Sequence, residues 1–396
     1  MNRDQPVDTP YAWLLHPLDT STFEDEIYEV RHHAIHRDQP GYFDSLLTFA
    51  DLDHVLGTHA LHVPDISLVQ ADATIDPARY TGPSGSVEPL EVAGLFDDGA
   101  TVIFRGLHRR VASLASLCVA VGRRFGSRMQ TNVYLTPPKA QGFRPHWDTH
   151  DVFVIQVSGS KQWSVFESPI TLPLRGQKCD PDVDRPGPTL DEFRLDAGDV
   201  AYLPRGVMHA ARSLDTTSLH ITLGLMAFTW ADFLADAVAA AALDDPLLRA
   251  NLPLGFAQSS GDPAQVATIA AERLERVLAR PPEDVWRRFA TEVAASNRTP
   301  FTDLLAARAR PIAIDEDTVV ERRGVPLEAY VEADDCVLRF AGRELRFPGR
   351  VTQTLRFIST SSPFTARDLP KTLDLSGNLT LVRRLVREGL LRPIRK

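Results

Sequence analysis

The fold and chemistry of this 396-residue chain are decided by two stretches, PHWDTHD at residues 145–151 and GDVAYLPRGVMH at residues 198–209. In the first stretch, His146 and Asp148 are separated by one residue. On a β-strand, alternate side chains project from the same face, so we expect the imidazole and the carboxylate to point together. They would supply two ligands of a metal site, and a second imidazole would complete a facial triad with open coordination positions.

The second stretch has the spacing of two turns around one strand. Pro204 follows Gly198 by six positions, and His209 follows Pro204 by five. Glycine and proline mark the turns, Val200–Leu203 is the predicted strand between them, and His209 opens the next strand. A β-barrel can bring His209 beside the first stretch although the two lie far apart in the chain.

A His-x-Asp pair alone is weak evidence for a metal site. The chain contains a second such pair at residues 36–38, which precedes Gln-Pro-Gly and has no strand context, so we interpret it as unrelated. The joint occurrence of both stretches, in this order, is much rarer by chance than either alone. We therefore predict that His146, Asp148 and His209 bind a metal ion.

The segment around these stretches alternates short apolar runs with turns that contain glycine or proline. The predicted strands are Thr131–Leu135, Val152–Val157, Lys161–Phe166, Phe193–Leu195, Val200–Leu203 and Ser218–Leu223. The second and third strands are separated by Ser158-Gly159-Ser160, which predicts a hairpin. Many short strands of this kind favour a β-barrel or a β-sandwich.

Lys161 is the second functional candidate. The chain has 43 basic residues, of which only five are lysines. Lys161 shares a strand face with Trp163 and is expected to point into the barrel, where an ammonium group needs an anionic partner. A dicarboxylate that chelates the metal at one end and meets Lys161 at the other would satisfy it.

Two further strands offer polar side chains to the same cavity. Asn132 and Tyr134 share one face of the strand before the first stretch, and Ser218 and Thr222 share one face of a late strand. We interpret His220, which lies between the last two, as a histidine packed in the core.

The flanks of the barrel predict further domains. Residues 1–60 suggest short helices, residues 110–124 one amphipathic helix, and residues 229–300 a helical region. Strands follow over residues 311–350, and the end of the chain predicts a helix at Thr365–Asp368, a turn, and a helix over Leu379–Gly389. These patterns divide the chain into residues 1–226, 227–310 and 311–396.

Composition excludes several classes of protein. The net charge of −9 argues against wholesale binding to nucleic acid or to an anionic membrane. No apolar run reaches the roughly 18 residues that cross a bilayer, and the N-terminus lacks the pattern of a signal peptide. Three widely spaced cysteines, Cys118, Cys179 and Cys336, indicate a reducing compartment, so we expect a cytoplasmic protein.

Four motifs resemble the JmjC-type, cupin-like ribosomal oxygenases, which are Fe(II)- and 2-oxoglutarate-dependent protein hydroxylases. The motifs are QTNVYLTP at residues 130–137, HWDTHDVF at 146–153, QVSGSKQW at 156–163 and LPRGVMH at 203–209. The resemblance implies a mainly β plus α fold, in which a double-stranded β-helix (jelly-roll) barrel precedes a helical dimerisation region and a C-terminal winged-helix domain. It also implies a homodimer.

The same resemblance implies a role for each candidate residue. His146, Asp148 and His209 would be the Fe(II) ligands, with O2 and 2-oxoglutarate as cosubstrates. Lys161 would pair with the distal carboxylate of 2-oxoglutarate. The cavity residues near that cosubstrate would be Asn132, Tyr134, Ser218 and Thr222. The implied reaction is hydroxylation of a protein side chain, at Cβ of arginine or histidine, in a protein such as a ribosomal protein.

Two alternatives remain open at this point. The same chemistry could act on a small molecule or a biosynthetic peptide. A different interpretation is that the chain is a nucleic-acid-binding regulator built on a cupin scaffold. It rests on residues 363–396, which contain eight basic residues and three acidic ones. However, Leu379, Val382 and Val386 form an apolar stripe, which favours a helix packed against its own domain with a solvated basic face.

Overall fold

A computed structural model describes residues 10–254, 256, 262–296, 304–309, 312–323, 325 and 327–394. The chain divides into two compact units, and the division lies between Ala227 and Phe228. The boundary predicted near residue 310 lies outside the described residues, as do Arg395 and Lys396 of the basic C-terminal segment. None of the described helices combines the length and the apolarity needed to cross a membrane.

The first unit consists of eleven described strands and five described α-helices. The strands are β1 His33–Ile35, β2 Ile66–Gln70, β3 Ala73–Thr74, β4 Thr101–Arg105, β5 Arg128–Thr136, β6 Asp151–Ser158, β7 Ser160–Phe166, β8 Thr189–Asp196, β9 Val200–Leu203, β10 Met208–Ser213 and β11 Ser218–Met226. The helices are α1 Pro10–Leu15, α2 Thr20–Glu26, α3 Phe49–Thr58, α4 Pro89–Asp97 and α5 Ala112–Phe125.

These strands form two antiparallel sheets. The larger has the order β1-β9-β6-β11-β5-β4-β2-β3, and the smaller has the order β10-β7-β8. The chain passes from the larger to the smaller sheet between β6 and β7. The predicted hairpin is therefore wrong: the turn exists, but β6 pairs with β9 and β11, and β7 pairs with β8 and β10. Gly159 makes this turn at φ 64°, and a Cβ there would lie 2.1 Å from the Thr217 carbonyl oxygen, so only glycine fits.

Strand β6 is covered on both faces and therefore has an almost continuous apolar sequence. Phe153 and Ile155 point into the main core, which includes the buried faces of α1, α2 and α5. Val152 and Val154 point into a second cluster, which they share with Trp163 of β7. This second cluster joins the inner faces of the two sheets, and the cavity described below opens beside it.

The second unit begins with helices and ends with small sheets. Its elements are α6 Trp230–Asp244, α7 Pro263–Leu278, α8 Pro282–Ser296, α9 Leu304–Ala309, β12 Val320–Arg322, β13 Leu327–Glu332, β14 Asp335–Phe340, β15 Arg343–Pro348, α10 Thr352–Thr360, α11 Leu375–Glu388 and β16 Leu391–Pro393. Strands β13, β14 and β15 form one sheet, and β12 pairs with β16. Thr229 caps α6 and Asp262 caps α7, each through a side-chain oxygen that accepts from backbone amides of the first turn.

The C-terminal part differs from the prediction in one element. The expected helix at Thr365–Asp368 is only a 3-10 turn, Ala366–Asp368, because Pro363 and Pro370 stand on either side of it. This 3-10 turn contacts α11, and the preceding helix α10 contacts the sheet of β13 and β14. Both helices contribute to one core, which contains Leu355 and Leu385 and is separate from the small cluster of the α6–α8 region.

Candidate metal centre and its cavity

His146 and His209 are brought together by their backbones. His146 lies in the connection between β5 and β6, and β6 begins only at Asp151, so the expected strand around His146 is wrong. Pro145 lacks an amide hydrogen, and a regular ladder cannot continue through it. His146 instead forms an isolated antiparallel bridge with His209: each amide donates to the other carbonyl, at 3.0 and 2.8 Å.

In both imidazoles, Nδ1 is held by a hydrogen bond and Nε2 is available to bind a metal ion. Nδ1 of His146 donates to the Arg144 carbonyl at 2.9 Å, and Nδ1 of His209 donates to the Val207 carbonyl at 2.9 Å. A carbonyl can only accept, so the hydrogen resides on Nδ1 and the lone pair on Nε2. Such an outer hydrogen bond is what orients a metal-binding histidine in proteins.

Asp148 completes the cluster. Its carbonyl accepts a hydrogen bond from the Gly206 amide at 2.9 Å, and its Oδ2 lies 3.9 Å from Nε2 of His209. The ligand atoms of His146, Asp148 and His209 all lie within 4.8 Å of one another. Among the described residues this is the one group of three or more such side chains so close together, and it is the group that the sequence predicts.

The protonation states suit a metal ion. Burial alone would raise the pKa of the Asp148 carboxyl, but the imidazoles of His150, His146 and His209 together lower it. Burial, helped by the neighbouring His146, lowers the pKa of His209 to about 4. At neutral pH the cluster thus offers a charged carboxylate and a neutral His209 imidazole, which are the forms that bind a divalent cation.

The three side chains face a cavity of about 590 Å³, a volume that includes its open mouth. The cavity lies between the two sheets. It is lined by Thr101, Tyr134, Gly142, Phe143, His146, Asp148, Val152, Val154, Lys161, Trp163, His209, Ala211, His220 and Thr222. The lining combines polar and charged side chains with apolar and aromatic ones in about equal parts.

Lys161 supplies the positive charge of this cavity. It lies on β7 and is 5% exposed, and no carboxylate of the described residues pairs with its ammonium group. Burial lowers the pKa of Lys161 to about 7. Nε1 of Trp163 and Nδ1 of His220 are also buried without a hydrogen-bond partner among the described residues. An unpaired cation beside polar atoms without partners indicates a cavity built for an anionic, oxygen-rich ligand.

The remaining predicted residues divide into two pairs. Tyr134 and Thr222 line the cavity, and the Tyr134 ring stacks on His220 with 4.7 Å between ring centroids. Asn132 is not among the residues that line it, although it shares a strand face with Tyr134. Ser218 is wholly buried, and its hydroxyl accepts a hydrogen bond from Gln156 at 2.8 Å. Of these four residues, Tyr134 and Thr222 are thus the ones that border the cavity directly.

Sequence reasoning underrated three residues. His220 was interpreted as core, yet it lines the cavity between Tyr134 and Trp163; its alternation with Thr222 on one strand was the available signal. Thr101 and Phe143 gave no such signal, because only the tertiary fold brings them to the cavity.

The second His-x-Asp pair lies elsewhere, as interpreted from the sequence. Nδ1 of His36 lies 2.9 Å from the Asp199 carboxylate, in the turn before β9. Neither His36 nor Asp38 belongs to the metal-ligand cluster.

The basic C-terminal segment is largely engaged within its own unit. Arg367 pairs with Glu316 and Asp317, and Arg392 pairs with Glu321. The predicted apolar stripe is confirmed, since Val382 is buried and Leu379 and Val386 pack against the same core.

Known proteins share these features. Residues 108–233 match the family model described as the JmjC domain. The protein named "Bifunctional lysine-specific demethylase and histidyl-hydroxylase NO66" of Drosophila melanogaster is 34% identical over 220 residues, which cover 54% of this chain and 33% of that protein. "Ribosomal oxygenase 2" of Bos taurus is 29% identical over 307 residues, which cover 73% of this chain and 65% of that protein.

A solved structure extends the likeness to the fold of the whole chain. "YcfD a Ribosomal oxygenase from Escherichia coli in complex with Cobalt and 2-oxoglutarate" has a TM-score of 0.55 at 16% identity and covers 96% of this chain and 99% of that chain. At this identity the likeness concerns the fold alone. The chain spans about a third of the length of the NO66 proteins that it matches.

Proposed function

Because the chain belongs to the JmjC-type, cupin-like ribosomal oxygenase family, we propose that it is an Fe(II)- and 2-oxoglutarate-dependent oxygenase that hydroxylates a protein side chain. One observation carries this proposal. The ligand atoms of His146, Asp148 and His209 converge on the same cavity that holds the unpaired ammonium group of Lys161.

The donor set fits Fe(II). Nε2 of His146, Nε2 of His209 and a carboxylate oxygen of Asp148 form the two-histidine, one-carboxylate set of non-haem iron oxygenases. When bound there, Fe(II) with 2-oxoglutarate and O2 supplies the oxidation that places one oxygen atom on a C–H carbon, with succinate and CO2 as the other products. The carbonyls of Arg144 and Val207 keep both rings oriented for the ion.

The protein's own side chains do the binding and positioning. Lys161 would pair with the distal carboxylate of 2-oxoglutarate, which gives its buried charge a partner. Burial and the Asp148 charge raise the pKa of Tyr134 to about 12, so its hydroxyl stays a hydrogen-bond donor at neutral pH. The apolar side chains of Val152, Val154 and Ala211 would limit the water around the reacting atoms once the ligands are bound.

The substrate we propose is a basic protein, with a ribosomal protein as the leading example and Cβ of arginine or histidine as the hydroxylated atom. The names of the relatives, which include a histidyl-hydroxylase and ribosomal oxygenases, support this choice. The net charge of −9 also favours a basic partner. Mass spectrometry of ribosomal proteins from cells with and without this protein tests it: a hydroxylation mark lost with the protein is expected, and unchanged marks would exclude a ribosomal substrate.

The cofactor site is tested by mixing the anaerobic protein with Fe(II) and 2-oxoglutarate and recording the visible charge-transfer band. We expect a band in the wild type, none in Asp148→Ala, and a band that needs far more 2-oxoglutarate in Lys161→Ala. Lys139→Ala is the matched control, because Lys139 is exposed and lies outside the cavity. A folded wild type without a band would refute the oxygenase assignment.

For the second unit we propose that α6, α7 and α8 form a homodimerisation region and that residues 311–396 form a winged-helix-like domain. Large apolar side chains on the three helices are exposed and would be covered by a second copy. They include Trp230, Leu243, Leu278 and Trp286, each more than half exposed. We also propose a cytoplasmic location, which the three free cysteines support.

A further inference from the structure

We propose that the buried pair Asp151–Arg205 is a positioning element that holds the metal-ligand segments against each other, an inference that rests on the metal site proposed above. Asp151 is the first residue of β6, three positions after Asp148. Arg205 lies in the turn after β9, four positions before His209. Neither residue lines the cavity, so neither touches its contents.

The pair is densely hydrogen-bonded. Oδ1 of Asp151 accepts from the Tyr202 hydroxyl at 3.0 Å and from the Arg205 backbone amide at 3.1 Å. Oδ2 lies 3.3 Å from Nη1 of Arg205, which also pairs with Glu29. Asp151 is 0% exposed and Arg205 8%. One carboxylate thus fixes both the backbone and the side chain of the arginine.

The fixed turn is the one that positions the ligands. Gly206, next to Arg205, donates its amide to the Asp148 carbonyl at 2.9 Å. Gly206 has φ 87°, and a Cβ there would lie 2.7 Å from Cδ of Pro173, so the turn is also packed tightly on its outer side. A shift of the Arg205 turn would therefore displace Asp148 and, four residues on, His209.

Stability alone does not explain a charged pair at this place. Burying two charges removes their hydration, and a well-packed apolar pair of similar size is often as stable or more stable. Nε of Arg205 is buried without a partner among the described residues, which adds to the cost of burial. A directional bond behind the ligands does what an apolar contact cannot: it fixes the distance and orientation between two specific backbones.

The test measures binding of Co(II) to the metal-free protein by titration calorimetry, with circular dichroism to record folding. We expect Asp151→Asn to weaken Co(II) binding by about 10- to 100-fold, as is typical when a residue behind a ligand is changed. The matched control is Asp199→Asn. Asp199 is 4% exposed and accepts from the Arg37 amide at 2.9 Å, yet it lies outside the ligand turns. It should lose stability without losing Co(II) affinity.

A double variant distinguishes a positioning role of the pair from a purely stabilising one. It also provides the test if Asp151→Asn does not fold. Asp151→Leu combined with Arg205→Met leaves no buried charge in the pair, so folding should recover while Co(II) binding stays weak. Wild-type affinity in the folded double variant, or in folded Asp151→Asn, would overturn the positioning role. A folded wild type that binds no Co(II) would overturn the proposed metal site itself.

Discussion

The functional side chains of this cavity differ in whether the protein offers them a hydrogen-bond or ion-pair partner. His146 and His209 have an outer carbonyl partner for the nitrogen that does not face the site. Lys161 has no carboxylate partner among the described residues, although it is almost completely buried. The lysine therefore destabilises the ligand-free protein and becomes satisfied only when an anion binds.

Lys161→Met is expected to stabilise the ligand-free protein while it removes 2-oxoglutarate binding. Burial lowers the pKa of Lys161 to about 7 from 10.5. This shift means that the buried ammonium group destabilises the ligand-free folded protein by up to about 4 kcal/mol at neutral pH. Denaturant unfolding should show the gain, and Lys139→Met, at an exposed position, should change the free energy of unfolding by less than about 0.5 kcal/mol. A destabilised Lys161→Met would show that the ammonium has a partner after all.

The same lowered pKa predicts two effects of pH. Between pH 7 and 10.5 the unfolded state holds the Lys161 proton more tightly, so the stability of the ligand-free protein rises with pH in this window. The dicarboxylate needs the charged lysine, so 2-oxoglutarate affinity should fall about tenfold for each pH unit above 7. His220 stays neutral here, because burial, followed by the Lys161 charge, lowers its pKa.

Calorimetric titrations of the metal-loaded, anaerobic wild type between pH 6 and 9 measure this affinity. Lys161→Arg, which keeps its charge throughout the range, should show no such decline. An equal decline in both proteins would assign the effect to another group.

Among the secondary-structure elements, the strands of the barrel could be predicted from the sequence, whereas their long-range pairing and helix α10 could not. The turn between β6 and β7 and the strand β9 follow from local turn chemistry and apolar runs. The sequence does not reveal that β6 and β7 belong to different sheets, because their partners come from distant parts of the chain. The pairing of His146 with His209 is a contact between distant segments, and no local pattern encodes it. Helix α10, with the sequence TQTLRFIST, is rich in residues that favour strands, and it becomes helical because Leu355 and Ile358 both reach one core.

The turn at Gly159, which connects the two sheets, gives a prediction about this architecture. Gly159→Ala meets both a left-handed backbone and the Thr217 carbonyl oxygen at 2.1 Å. Gly126→Ala is the control, because Gly126 has φ 59° and no atom within 4 Å of its would-be Cβ. The control should cost about 1–2 kcal/mol of stability from backbone conformation alone. Denaturant unfolding should show a clearly larger loss for Gly159→Ala, and equal losses would mean that the turn relaxes freely.

At the scale of the whole molecule, the sequence indicated a barrel, a helical region and a C-terminal part, and the chain does divide next to residue 226. Composition limited the classes of protein, while the four motifs were specific for the cosubstrate chemistry. The substrate could not be read, because the residues that select it come from parts of the surface that only folding brings together. The metal ligands could be read because they lie in two short stretches with fixed spacing.

The proposed homodimer gives a prediction about the oligomeric state of the protein. Trp230→Glu places a charge on an apolar side chain of α6 that is 77% exposed, and it should shift the protein from dimer to monomer. Light scattering after size-exclusion chromatography measures the mass. Leu90→Glu is the control, since Leu90 is 85% exposed on α4 in the first unit and should leave the mass unchanged. A monomeric wild type would rule out the dimer.

The backbone bridge between His146 and His209 has a consequence for which ion the protein carries. Because the bridge consists of hydrogen bonds between the two backbones, the donor atoms stand together before any ion arrives. Donors of this kind do not by themselves select Fe²⁺ over the other divalent ions. Intrinsic affinity for nitrogen and oxygen donors rises from Fe²⁺ through Co²⁺ and Ni²⁺ to Cu²⁺. The iron content of a preparation therefore depends on the metal supply of the cell that made it. A correctly folded protein can be inactive because a competing ion occupies the site.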